Sequence, residues 1–152
     1  MTIKVGINGC GRIGRLFLRA AWQWPEFDLI QLNDPAGDAH TTAHLLKFDS
    51  VHGTWSADIN GHENTISING HSLAYSRNTT TEATDWSGCH LVIEASGKLK
   101  TKALLQAYLD QGVQRVLVTA PIKQDGVLDL VVGVNHHLYD PQQHQLVTAA
   151  SC

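Results

Sequence analysis

The sequence predicts an α/β domain built on a doubly wound, mostly parallel sheet, with an antiparallel hairpin inserted in its middle. Three observations carry this expectation. Segments rich in Val, Ile and Leu alternate with segments of helical periodicity, as strands joined by crossover helices do. A glycine-rich turn, residues 9–14, stands between the first such strand and the first helix. In mid-chain, Asn69-Gly70 separates two runs of alternating character, the composition of a two-residue hairpin turn.

Taken in order, Thr2 to Asn8 carries β-branched Ile3, Val5 and Ile7 and runs into glycine, which fits a strand. From Arg12 to Trp24, Ile13, Leu16, Phe17, Ala20 and Ala21 recur at helical spacing until Pro25 stops the run. "FDLIQLND" reads as a second strand, and "DAHTTAHLLKF" as a short helix with Asp38 as its N-cap. In "ENTISINGHSLAYSR", Ile66 and Ile68 alternate before the Asn-Gly pair, and His71, Leu73 and Tyr75 after it. That hairpin is the antiparallel insert. Ile-Asn-Gly occurs at Ile7, Ile59 and Ile68, but the irregular spacing and differing surroundings read as coincidence rather than a repeat. The α/β alternation resumes with strand "LVIEASG", helix "KTKALLQAYLDQG" closed by Gly112, and strand "QRVLVTAP"; "LDLVVGVN" and "QLVTAAS" supply two further strands. Such strands belong in a sheet covered on both faces, with ligands at the carboxyl ends.

Composition narrows the function class. The 152 residues suit one domain, 1–152, at 43% apolar and 16% charged. No apolar run approaches the roughly 18 residues that span a bilayer, and a net charge of −3 offers no basic footprint for nucleic acid. "MTIKVGING" lacks the features of a secretory signal, so the expected location is the cytoplasm. Cys10, Cys89 and Cys152 are odd in number and far apart, which argues against a disulfide framework. No metal is expected: the nine histidines are scattered through polar segments, and adjacent His136 and His137 lack a third ligand.

Gly9-Cys10-Gly11-Arg12-Ile13-Gly14 is a GxGxxG sequence directly after a strand and opening a helix, and Asp34 ends the next strand 20 residues beyond Gly14. A dinucleotide needs this combination: main-chain N–H groups at a helix start meet the pyrophosphate, and a carboxylate meets the adenine-side ribose hydroxyls. Asp34 precedes Pro35 and no arginine follows nearby, so the negative charge stands unneutralised where a 2′-phosphate would lie, and NAD is expected over NADP.

"KVGINGCGRIGR", "NDP", "LLKFDSVHG", "VIEASG", "TAP", "VVGVNHHLYDP" and "LVTAASC" together resemble, in order and spacing across the whole chain, the amino-terminal half of the glyceraldehyde-3-phosphate dehydrogenase family. "NDPAGD", "DWSGC" and "KTKALLQAYLDQGV" are most similar to its arsenate-resistance-associated bacterial branch. The resemblance implies a Rossmann domain that binds NAD, serving the oxidation of glyceraldehyde 3-phosphate to an acyl thioester and its release by inorganic phosphate, or by arsenate in that branch. It implies Cys152 as the nucleophile, Ser151 at the inorganic-anion site, Arg12 and Ile13 over the pyrophosphate, and Asp34 on the adenosine ribose. It further implies Arg77 beside the adenine, Thr119 near the nicotinamide-side ribose, and close approach of backbone to cofactor at Gly9, Gly11 and Gly97. The family's histidine base, its substrate-phosphate arginine and most subunit contacts belong to a second domain that this chain does not contain, so the chain alone is expected to be inactive, its thiol close to an ordinary exposed cysteine. An uncovered apolar sheet surface would favour a homo-oligomer. Two residues depart from the family pattern. Cys10 replaces a usual phenylalanine and reads as a small packing residue or a second oxidation site; Lys98 reads as solvated or as an attraction for the anionic cofactor.

Overall fold

The computed structural model describes Thr2–Ala150. Strand β1 (Ile3–Asn8) sends Val5 and Ile7 to one face and Gly6 and Asn8 to the other, all four buried. Helix α1 (Arg12–Ala21) follows and stops three residues short of the expected Trp24. The residue before a proline is pushed out of the helical region, so Trp24 instead donates its N–H to the Ala21 carbonyl (3.0 Å) in a turn that leads to β2 (Phe27–Asn33). Helix α2 (Ala39–Lys47) starts where Asp38 caps it, the Asp38 carboxylate accepting the Thr41 N–H at 2.7 Å. A two-residue ribbon, β3 (Phe48–Asp49) with β4 (Gly53–Thr54), leads into the insert.

The insert has three strands, β5 (Ile59–His62), β6 (Thr65–Ile68) and β7 (His71–Ser76). Asn69 and Gly70 have φ of 50° and 82°, the pair of positive angles that a type I′ turn demands. Strand β5 was not expected: Ile59 is its only large apolar residue, too little for an alternating pattern, and it forms because it pairs antiparallel with β6. Strand β7 also pairs parallel with β2, so the insert extends the main sheet rather than standing apart from it.

The chain then crosses to the other side of β1 as β8 (Leu91–Glu94), passes through α3 (Lys102–Asp110), and adds β9 (Arg115–Val118), β10 (Leu128–Asp129) and β11 (Leu146–Thr148). The sheet order is β10-β11-β9-β8-β1-β2-β7-β6-β5, parallel from β10 through β7. Gly112 (φ 94°) closes α3 as expected. The expected strand over 128–135 is cut to two residues. Asn135 Oδ1 accepts the Val131 N–H at 2.7 Å while its Nδ2 donates to the Asp129 carbonyl, and this local ring bends the backbone away from the sheet, leaving Val132 82% exposed.

Two apolar clusters flank the sheet. Val5, Ile7, Leu29 and Leu32 pack under Leu18 of α1 and Ala43 and Leu46 of α2. On the opposite face Val92, Val116 and Val118 pack under Leu105 and Tyr108 of α3, with Trp86 edge-on to Tyr108 at 5.4 Å, a contact worth about 1 kcal/mol beyond its buried area. Coverage of both faces, however, is incomplete. No α-helix among the described residues joins β9 to β11, so on the α1 side Leu91, Leu117, Val147 and Ala149 line an open apolar hollow of about 640 Å³ with Ile3 and Val132.

Candidate functional site

Strand order reverses at β1: β2 lies to one side and β8 to the other. The crevice at the carboxyl ends of such a pair is where an open α/β sheet holds its ligand. Here Gly9 leaves β1 with φ 95°, and a Cβ on it would lie 2.5 Å from the Ser96 nitrogen beyond β8. Gly14 allows α1 to sit against that turn, since its Cβ would lie 1.9 Å from the Gly9 carbonyl oxygen. Gly11 differs from both. It is the N-cap of α1 with no side-chain cap, and a Cβ there would meet nothing within 4 Å. The space above Gly11 and the uncapped first-turn N–H groups of α1, which carry the positive end of the helix dipole, form a cradle for an anionic group.

The cradle opens into a groove of about 260 Å³. Gly9, Gly11 and Asp34 line it together, so the structure gathers the glycine loop and its acidic partner as the spacing led us to expect. Asp34, at the tip of β2, accepts the Cys10 N–H through Oδ2 (2.7 Å) and the Ala36 N–H through Oδ1 (2.8 Å). These bonds hold the carboxylate rigid and tie the glycine loop to the neighbouring strand. One wall continues as Asn78–Thr81, the other as Ala95, Ser96, Lys98 and Leu99. Lys98 therefore lies on the groove.

The remaining expected residues are more dispersed. Arg12 and Ile13 occupy the first turn of α1; Ile13 is 56% exposed, and the Arg12 guanidinium stands 3.9 Å from Asp49. Gly97 (φ 70°) falls between two groove residues. Arg77 follows β7 at the surface, where its charge helps lower the Asp38 carboxyl below the usual range, after the Thr41 hydrogen bonds that act most strongly. Thr119 stands two strands from β1, past β9, and donates through N (3.0 Å) and Oγ1 (3.3 Å) to the Glu94 carbonyl. Ser151 and Cys152 lie outside the described residues. Strand β11, which precedes them, ends at Thr148 on the same carboxyl edge of the sheet as Gly9.

Cys10 is 7% exposed, and burial, reinforced by Asp34, pushes its thiol up to about 12. The Arg15 guanidinium donates to the Cys10 carbonyl at 2.9 Å from beneath. A buried thiol held protonated is a poor nucleophile, so the packing role fits Cys10 and an oxidation site does not.

Sequence reasoning missed the buried polar row under the groove. Asn8, Asn33 and Glu94 close β1, β2 and β8 and are 8%, 3% and 1% exposed. The signal was present: each is a polar residue that closes its strand directly after a large apolar one, Ile7, Leu32 and Ile93.

A model of the family described as "Glyceraldehyde 3-phosphate dehydrogenase, NAD binding domain" matches residues 3–102. The chain is 47% identical to glyceraldehyde-3-phosphate dehydrogenase 3 of Nostoc sp., over 100% of this chain and 45% of that relative. It is 36% identical to the cytosolic glyceraldehyde-3-phosphate dehydrogenase of Chlamydomonas reinhardtii, over 99% of this chain and 44% of the relative. With the chloroplastic enzyme of Chondrus crispus the identity is 37%, over 100% of this chain and 37% of the relative. The chain thus spans under half the length of these curated relatives.

Proposed function

The chain belongs to the glyceraldehyde-3-phosphate dehydrogenase family as its NAD-binding domain, and on that premise we propose that it serves the phosphorylating oxidation of glyceraldehyde 3-phosphate, with Cys152 as nucleophile. The observation that supports this most is the groove at the β1/β8 crevice, where an uncapped helix start, a side-chain-free Gly11 and a fixed carboxylate meet. NAD fits these residues: the pyrophosphate over Gly11, Arg12 and Ile13, and the adenine-side ribose against Asp34. Gly9 and Gly97 keep the backbone low, Arg77 flanks the adenine end, and Thr119 the nicotinamide side.

In the proposed chemistry the Cys152 thiolate attacks the aldehyde carbon and forms a hemithioacetal. NAD, held by Gly9, Gly11, Arg12, Ile13 and Asp34, would supply the hydride acceptor; loss of that hydride and of the hydroxyl proton to a base turns the hemithioacetal into a thioester on Cys152. Inorganic phosphate, held at Ser151, then attacks the thioester, expelling the thiolate and releasing an acyl phosphate; arsenate would replace phosphate in the arsenate-linked branch. The family's histidine base has no match among these residues, so steady turnover by this chain alone is not expected. The cytoplasm is the proposed location, in keeping with the name of the Chlamydomonas relative and in contrast to that of the Chondrus relative. The apolar hollow over β8, β9 and β11 supports a homo-oligomer.

Calorimetric titration of the chain with NAD and with NADP at equal ionic strength tests the cofactor assignment. NAD should bind, and NADP at least about tenfold more weakly, because its extra phosphate meets Asp34. Equal or tighter NADP binding would overturn it. Following NADH absorbance with glyceraldehyde 3-phosphate, NAD and either phosphate or arsenate tests the rest: steady turnover by this chain would show that the base lies within it after all.

A further inference from the structure

The carboxyl edge of the sheet carries a continuous hydrogen-bonded row whose direction is fixed at both ends by main-chain donors. At one end the Asn78 N–H donates to Asn33 Oδ1 (2.9 Å), so that atom is the carbonyl oxygen and the amide is Nδ2. Asn33 Nδ2 donates to Asn8 Oδ1 (2.8 Å), which fixes Asn8 in turn, and Asn8 Nδ2 donates to Glu94 Oε2 (2.8 Å). At the other end the Ser96 N–H donates to Glu94 Oε1 (2.8 Å), joined by the Ser96 hydroxyl. Tyr108 from α3 donates its hydroxyl to Glu94 Oε2 and accepts a bond from Asn8 Nδ2 at 2.7 Å. From Asn33 onward every bond along the row runs toward Glu94, while Asn33 Nδ2 also donates back to the Asn78 carbonyl (3.0 Å). Its two oxygens face four donors, and no cation pairs with it among the described residues.

The two ends of this row are the two walls of the groove, Asn78 on one side and Ser96 on the other. We infer that Glu94 is a positioning residue for NAD: as the terminal acceptor of the Asn78–Asn33–Asn8–Glu94–Ser96 row, it sets the spacing of the groove walls and holds the 95–99 edge in its binding conformation. The inference rests on the groove being the NAD site. Glu94 does not itself line the groove, so it acts through Ser96 and Asn8, which do.

Substitution by the isosteric amide isolates this role. In Glu94→Gln, whichever way the new amide turns, its NH2 meets a donor that cannot reverse. One orientation opposes the Ser96 main-chain N–H, the other the Asn8 amide pinned by Asn33. One bond in the row must open, and a buried donor left unpaired is costly. The expected results are hydrogen exchange at the 95–98 amides at least about tenfold faster without nucleotide, while the β5–β7 insert exchanges as in wild type, and NAD affinity about tenfold weaker by calorimetry. A merely structural role would raise exchange throughout and leave affinity unchanged at a temperature where the variant is folded. Wild-type exchange at Ser96 together with wild-type affinity in folded E94Q would overturn the inference. Should E94Q not fold, Ser96→Ala, which removes the hydroxyl bond to Glu94 and the Lys98 N–H bond to Ser96 Oγ but keeps the Ser96 N–H bond, should still speed exchange at 95–97, away from the lost Lys98 bond, and weaken NAD a few-fold; no change in either would overturn it. If wild type itself gives no heat with NAD, the assignment of the groove fails instead, and the nucleotide-free exchange comparison still decides the part played by Glu94.

Discussion

The Asp34 carboxylate lines the groove while accepting the Cys10 and Ala36 N–H groups. Removing it therefore loosens the loop and deletes the proposed ribose acceptor together. Hydrogen bonds to a charged group contribute about 1.5–3 kcal/mol, so Asp34→Ala should weaken NAD roughly ten- to hundredfold in a calorimetric titration. Loop loosening alone would weaken NAD and NADP equally, whereas loss of the charge also relieves the repulsion of a 2′-phosphate. The NAD/NADP affinity ratio should consequently fall, and an unchanged ratio would argue against Asp34 as the discriminating group. Titration at other residues bears on stability. Burial is the first cause that pushes Cys10 and Cys89 from 9.0 up to about 12, and Tyr75 from 10.0 up to about 12. Groups whose folded-state pKa is raised stabilise the fold fully below their ordinary pKa and lose that contribution as pH rises toward the folded value. Unfolding followed by circular dichroism should show a midpoint at least about 5 °C lower at pH 11 than at pH 8, with a smaller drop in Cys89→Ala.

At the scale of elements, the β1–α1 unit depends on one contact. Gly14→Ala would place a Cβ 1.9 Å from the Gly9 carbonyl oxygen, a backbone atom that cannot swing away. Helix and glycine turn must part, at a cost of about 3 kcal/mol or more, read as a lower urea midpoint, and with them goes the anion cradle. Gly11→Ala meets no protein atom within 4 Å, so its stability should be near wild type while NAD affinity falls. The contrast between the two glycines separates packing from ligand approach. The element boundaries that resisted reading from sequence have local causes: the 3-residue overrun of α1 traces to the conformational demand of Pro25, and the lost strand after Asp129 to the Asn135 side chain bonding its own loop.

For the whole molecule, the same asymmetry that leaves β9 and β11 without a joining α-helix among the described residues exposes the apolar hollow beside Val132 and Leu117. If copies of the chain associate through it, sedimentation velocity at micromolar concentration should show a species larger than the 16.6 kDa monomer. Val132→Lys should shift it toward monomer without altering NAD affinity, since Val132 is remote from the groove lining. Monomeric wild type would remove that proposal and leave the cofactor assignment intact.

The glycine loop, Asp34, the Asn69-Gly70 turn and the alternation of apolar strands with helices were legible in the chain because each rests on local chemistry: backbone angles, helix starts and side-chain periodicity. They determined the α/β class and the crevice beside the glycine loop, whereas the family was legible only through the resemblance of longer motifs such as "VVGVNHHLYDP". Tertiary structure alone decided that β7 would join β2 and that β5 would form at all. It alone also brought Asn78, Asn33, Asn8, Glu94 and Ser96 into one row. Those outcomes depend on which strands become neighbours, and partners 25 and 86 residues apart, as Asn33 and Glu94 are from Asn8, leave no periodic trace in the sequence.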